Sequence, residues 1–370
     1  MKKLLLLFLA LLSVTALIGC DNSSATTEAA DKIVLITDKG DITDKSFNQG
    51  AYEGVKAYAE ENDIDYDYVK PLDATSEYYI SAIETAINDG ATVIVTPGYL
   101  FEEPINVVQV DYPEVKFILL DGNPENADNG TLEDNVYSVF YAEHEAGFLA
   151  GYAAVKEGYR HLGFMGGLAV PAVQRFGHGY IQGIAKAAEE LELADGAITV
   201  DYLYTGDFKA TPEVQSAAAT MFSNGAEVIF ACGGSVGQSV MAAAGDANGK
   251  VIGVDVDQSA ESDTVITSAM KSLSVSVEQA LEAIFETGEW DASFGGKSVV
   301  LDAKSDGVAL PNDFSKFNNF TSSDYETLYE KLVDGTYVVD NTIGEFGDDG
   351  TASKQFETDI VTVNVISFEG

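Results

Sequence analysis

Basic side chains are scarce in this chain of 370 residues: 20 lysines and arginines stand against 60 aspartates and glutamates, a formal net charge of −40. A field of that sign repels nucleic acid and anionic lipid head groups, so neither is expected as a partner. It also disfavours a multiply anionic ligand such as a nucleotide. Cysteine is nearly missing as well, with Cys20 and Cys232 the only two. Cys232 follows the apolar run Val228–Ala231 and reads as a buried structural thiol, not a reactive one. The three histidines, His144, His161 and His178, fall in separate elements without ligand spacing, which gives no metal site. Asp38, Asp41 and Asp44 lack the glycine and bidentate glutamate of a calcium loop.

Chemistry-bearing motifs are missing too. No GxxxxGK[ST] loop supports a nucleoside triphosphatase, and no GxSxG elbow supports a serine hydrolase. Gly177, Gly179 and Gly183 space the third glycine one residue too far for a dinucleotide fingerprint, and they lie inside a helical pattern. No cofactor and no catalytic residue is expected. The apolar run Leu4–Leu12 is too short to span a bilayer.

That run has a different meaning. Lys2 and Lys3 precede it and Leu17-Ile18-Gly19-Cys20 follows, the layout of an export signal. Leu-Ile-Gly-Cys resembles the bacterial lipobox, which implies cleavage after residue 19 and a lipid on Cys20. A plain secretory signal is the alternative. Asp21–Ala30, small and polar without periodicity, reads as a flexible tether. With Cys20 lipidated, no internal disulfide remains possible.

The stretch Lys32–Glu61 sets the architecture. Ile33–Ile36 is the continuous apolar run of a strand buried on both faces, and a helical pattern starts at Ser46, which is placed to cap it. Similar strand runs recur at Tyr66–Val69, Thr92–Thr96, Phe117–Leu120 and Val136–Tyr141. The alternation then begins again at His161–Met165, Thr199–Tyr204, Glu227–Cys232, Val251–Val256 and Val265–Met270. Short strands are also expected at Lys297–Leu301, Val308–Leu310 and Thr336–Val339, and a final one within Ile360–Phe368. Strands alternating with helices predict doubly wound parallel sheets, here in two consecutive α/β lobes with no long linker.

In such sheets ligands sit at the carboxyl ends of the strands. Asp38, Asp121, Asp207, Asp255 and Asp257 all fall there, and each taken alone reads equally as a turn or cap. Phe47 and Phe208 share that edge and would stack on a flat ring if they faced each other. Lys271 is predicted to follow a strand directly and to begin a helix, where a cation is disfavoured unless it has a carboxylate partner. Carboxylates at such a site suit a neutral, hydroxyl-rich ligand.

The stretches DKSFNQGAYEG (44–54), YPEVKFILLDG (112–122), GFLAGYAA (147–154), GFMGGLAVPAVQRFGHGYIQG (163–183), YTGDF (204–208), VIGVDVDQ (251–258) and SAMK (268–271) resemble the basic membrane protein family of bacterial lipoproteins, in the family's order. That family's best-known member type is the purine nucleoside receptor of ABC importers. The resemblance implies a type I periplasmic-binding-protein fold, with two Rossmann-like lobes joined by a three-strand hinge. One lobe would take 32–140 and about 271–305, the other 141–270 and about 306–340. The tail 341–370 has no counterpart and no assigned role. Carried over by position, Phe47 and Phe208 would sandwich a purine, Asn48 and Asp38 would meet the base, and Asp121, Gly234, Asp255 and Lys271 the ribose. The register after Val256 leaves Asp255 and Asp257 as competing choices.

The expected protein is thus a monomeric, extracytoplasmic lipoprotein on the cell membrane. It would bind inosine, guanosine or adenosine and pass them to a permease and its ATPase. The same fold serving a sugar or signalling molecule is the alternative, with a nucleoside-processing enzyme behind it. A sugar-repressor-type regulator would need a DNA-binding head where the export signal stands.

Overall fold

Apolar β-branched runs with no polar alternation can be satisfied only where both faces of a strand are covered, and helices cover both faces here. The computed structural model describes residues 31–343 and 349–369. The signal segment, Cys20 and the tether up to Ala30 lie outside the described residues. The first half runs β1 (Lys32–Ile36), α1 (Phe47–Glu61), β2 (Asp65–Val69), α2 (Ser76–Asn88), β3 (Val93–Pro97), α3 (Glu102–Asp111), β4 (Lys116–Leu120) and β5 (Val136–Tyr141). The second runs α4 (Glu143–Glu157), β6 (His161–Gly166), α5 (Pro171–Glu190), β7 (Ile198–Tyr204), α6 (Pro212–Ser223), β8 (Val228–Cys232), α7 (Val236–Ala247), β9 (Lys250–Asp255) and β10 (Val265–Lys271). Then come α8 (Leu273–Glu282), β11 (Lys297–Leu301), β12 (Val308–Ala309), α9 (Ser322–Val333) and β13 (Val361–Val365).

Two sheets result, ordered β11-β5-β4-β3-β1-β2 and β12-β10-β9-β8-β6-β7-β13. Every pairing is parallel except β10 with β12. The chain passes between the sheets three times: after β5, after β10 and between β11 and β12. This is the two-lobed α/β fold expected from the strand pattern, with three connecting strands at the junction.

Three local expectations change. Lys271 is the last residue of β10, paired with Val308 of β12, and α8 begins only at Leu273. Lys271 is therefore a strand residue and not the first residue of a helix. Residues 336–339 form no strand. The tail does have a place: β13 lies parallel to β7, Val361 opposite Ile198 through Val365 opposite Tyr202, and so forms the edge of the second sheet.

The glycines of 177–183 are explained by packing. Helices α4 and α5 cross so closely that a Cβ on Gly179 would fall on the His144 carbonyl, and one on Gly183 on the Phe148 carbonyl. Only glycine permits that approach.

Candidate ligand-binding site

The loop from β1 to α1 forms the first wall of the site. Sequence reasoning gave the cap of α1 to the Ser46 side chain, but Asp44 performs it. Asp44 Oδ1 accepts from the backbone N–H of Ser46 (2.8 Å) and Gln49 (3.2 Å), and Oδ2 from that of Asn48 (3.0 Å). A carboxylate is the stronger acceptor at a helix N-terminus, which frees the serine. Ser46 Oγ instead donates to the Asp255 carboxylate in the other lobe. Asn48 Nδ2 donates to Asp38 Oδ1 (2.8 Å) and Asp44 Oδ2 (2.9 Å), and its Oδ1 receives the Asp38 N–H (3.2 Å). The Asn48 amide is thereby largely spent on holding Asp38, whose Oδ2 lies beside Gly98.

Between the lobes lies a cavity of about 650 Å³ including its open mouth. Asp38, Phe47, Asn48 and Asp121 line it from the first lobe; Phe208, Gly234 and Asp255 from the second; Lys271 stands at the junction. All eight residues singled out from sequence therefore reach one space. Val170, Val173 and Phe176 add apolar wall. Phe47 and Phe208 are both half-buried. Gly167 makes room for the Phe208 ring, since a Cβ there would overlap it. Of the five strand-end aspartates, two turn away: Asp207 pairs with Lys209 at 2.9 Å, and exposed Asp257 accepts the Ser259 N–H at 2.9 Å. Asp255, not Asp257, faces the cavity. Both Asp121 and Asp255 hold left-handed backbone, φ 54° and 66°, which an aspartate adopts at a cost characteristic of built sites.

Charge in the site centres on Lys271. Its Nζ lies 2.5 Å from Asp121 Oδ2, 3.1 Å from Glu143 Oε1 and 3.9 Å from Asp255 Oδ1. The same ammonium faces the rings of Phe47, Phe176 and Tyr141 at 4.8, 5.2 and 5.4 Å. Burial alone would strip its proton, but the three carboxylates outweigh burial and hold Lys271 firmly cationic. Burial pushes Asp38, Asp44 and Asp255 upward. It raises Asp121 to about 7 despite the adjacent ammonium. Asp121 Oδ1 is buried with no hydrogen-bond partner among the described residues. An acceptor left so in a closed cleft is costly unless a ligand supplies the donor. Cys232 also reaches the wall but is buried, and burial holds its thiol well above the ordinary value.

The family described as Bmp, ABC transporter substrate-binding protein PnrA-like, matches residues 31–341. The chain is a member of the Bmp family. Among Bmp relatives, the ABC transporter nucleoside-binding protein BmpA of Lactococcus lactis subsp. cremoris is 27% identical, over 82% of this chain and 90% of that one. Basic membrane protein A1 of Borrelia garinii subsp. bavariensis is 27% identical, over 92% of this chain and 96% of that one. A solved ABC transporter solute-binding protein from Aeropyrum pernix K1 shares the fold, with a TM-score of 0.72, 22% identity and coverage of 85% and 94%. The Bmp match ends before β13, so that strand lies outside the matched region. No helix among the described residues is long and apolar enough to cross a membrane.

Sequence reasoning missed Glu143 and Arg175. Glu143 opens α4 and is fully buried; Arg175 Nε donates to its Oε2 at 2.6 Å. Lys271 and Arg175 together hold Glu143 down at about 2 against the opposing effect of burial. The signal was present in composition: Arg160 and Arg175 are the only arginines of the chain.

Proposed function

We propose that this Bmp-family protein is the lipid-anchored, extracytoplasmic receptor of an ABC importer, and that it binds purine nucleosides between its lobes without chemistry. The observation that carries the reading is the pairing, in one cavity, of two half-buried aromatic rings with an unpartnered buried carboxylate oxygen beside a lysine ammonium. Phe47 and Phe208 take the faces of the base, and Asp38, steadied by Asn48, takes its edge. Asp121, Asp255, Lys271 and the backbone at Gly234 take the ribose. Asp38, Asp44, Asp121 and Asp255 against one lysine make the lining acidic, which suits an uncharged nucleoside better than a phosphorylated one. The printed name of the Lactococcus relative points the same way.

Ligand contacts on both lobes stabilise the closed arrangement by their differential affinity, and closure presents the loaded protein to a permease and its ATPase. Cys20 carries the anchor. Calorimetry with inosine, guanosine, adenosine and a panel of free sugars tests the binding role: nucleosides bind and sugars do not. Release of hypoxanthine from inosine during the same incubation would sink the non-enzymatic reading.

A further inference from the structure

We infer that Glu143 and Arg175, which do not line the cavity, are positioning residues that set Lys271 for the sugar side of the ligand. This rests on the nucleoside reading above. Lys271 lies at the end of β10, where the chain crosses between lobes, and Glu143 lies just past another of the three crossings, after β5. The ammonium therefore sits between two junction strands and is shared by a carboxylate from each lobe, Asp121 and Asp255. Left with those two alone, it has no reason to prefer the geometry that leaves Asp121 Oδ1 open.

Glu143 supplies that preference. Its Oε1 forms an ion pair with Nζ at 3.1 Å, without the alignment of a hydrogen bond, while its Oε2 is fixed by Arg175 Nε at 2.6 Å. Arg175 is anchored in turn by its helix: α5 packs along α4 through the glycine contacts at Gly147, Gly151, Gly179 and Gly183. The guanidinium and the carboxylate are thus carried on two interlocked helices. With Glu143 Oε1 at 3.1 Å and Asp121 Oδ2 at 2.5 Å, the ammonium hydrogen-bonds a single oxygen of Asp121. The other oxygen is kept for a ligand hydroxyl. Remove the charge on Glu143 and the ammonium turns onto both oxygens of Asp121, which closes the acceptor.

The test compares inosine with hypoxanthine, which share a base and differ in the sugar, by calorimetry on wild type, Glu143→Gln and Arg175→Lys. Glu143→Gln is expected to weaken inosine about tenfold, the scale of one charge-assisted contact, and to leave hypoxanthine nearly unchanged. Arg175→Lys keeps the charge, loses the directed Nε bond, and is expected to show a smaller loss in the same direction; it also carries the test if Glu143→Gln fails to fold. A merely structural role would lower both ligands equally. Wild-type preference for inosine retained at full strength in both variants, or equal losses on both ligands, overturns the positioning role alone. A wild type that binds hypoxanthine as tightly as inosine overturns the sugar-side reading itself.

Discussion

Gln258, from the second lobe, donates its side-chain N–H to the backbone carbonyl of Lys45, in the first, at 2.7 Å. Gln258 is 1% exposed, and its own Oε1 accepts the Val254 N–H at 3.2 Å, so both ends of the amide are bonded between the lobes. Lys45 is held in left-handed backbone, φ 62°, and its ammonium reaches Glu261 of the second lobe at 3.4 Å. Together with the Ser46–Asp255 bond, these contacts fasten lobe directly to lobe.

Gln258→Ala should therefore weaken nucleoside binding although Gln258 does not line the cavity. The expected loss is about 1–2 kcal/mol, the scale of a buried hydrogen bond whose partner is left behind. Calorimetry measures it, and small-angle scattering of the unliganded variant should show a larger radius of gyration than wild type. An unchanged affinity would show that the closed form does not depend on this bond.

The aromatic pair offers the most direct check on the ligand. Phe47→Ala and Phe208→Ala should each cost about 1–3 kcal/mol of nucleoside affinity, by analogy with base stacking on aromatic side chains. Gly167→Ala should act in the same direction, because the new methyl displaces the Phe208 ring. Wild-type affinity in both phenylalanine variants would remove the base from between them.

Gly179→Ala tests the interlock of α4 and α5. The added methyl meets the His144 carbonyl, backbone that has no room to retreat. Thermal denaturation should report a loss of about 1–3 kcal/mol, the cost of overpacking a close contact. A midpoint equal to wild type would mean that the helices separate at little cost.

The buried carboxylates give stability a defined pH dependence. Asp38, Asp44, Asp121 and Asp255 are all raised by burial, Asp121 to about 7, so the folded chain binds more protons than the unfolded one above the ordinary aspartate range. Their contribution is complete below the unfolded value and is lost as pH rises through the folded values. Glu143 runs the other way: held at about 2 by Lys271 and Arg175, it contributes above its ordinary value and loses that as acid protonates it. The unliganded melting temperature should thus fall from about pH 5 to about pH 8, and again in strong acid. A midpoint rising steadily through neutrality would contradict the raised aspartates.

Much of this was legible in the sequence, for physical reasons that differ from element to element. Runs such as Ile33–Ile36 and Val228–Cys232 declare strands covered on both faces, and turn residues at their ends mark the cleft edge. The eight residues proposed from sequence line one cavity because strand carboxyl ends converge in this topology, and the quoted stretches resemble a known family. What failed was long-range or competitive. Lys271 looked like a helix start because its strand end is fixed by Val308, distant in sequence. Ser46 and Asp44 are both good caps by type; the carboxylate takes the helix N–H groups and the serine goes to Asp255, a partner distant in sequence. Glu143 and Arg175 lie on different helices, and nothing local shows that they meet. Residues 336–339 read like a strand but pair with neither sheet, whereas Val361–Val365 joins the edge beside β7.

Cys232 lines the cavity wall at 1% exposure, and it is the one free thiol among the described residues. In a chain beginning after Cys20, that sulfur is a native reporter. An alkylating reagent reaches it only while the cleft gapes, so the modification rate counts openings directly, and a saturating ligand should silence the reaction with no label added to the protein.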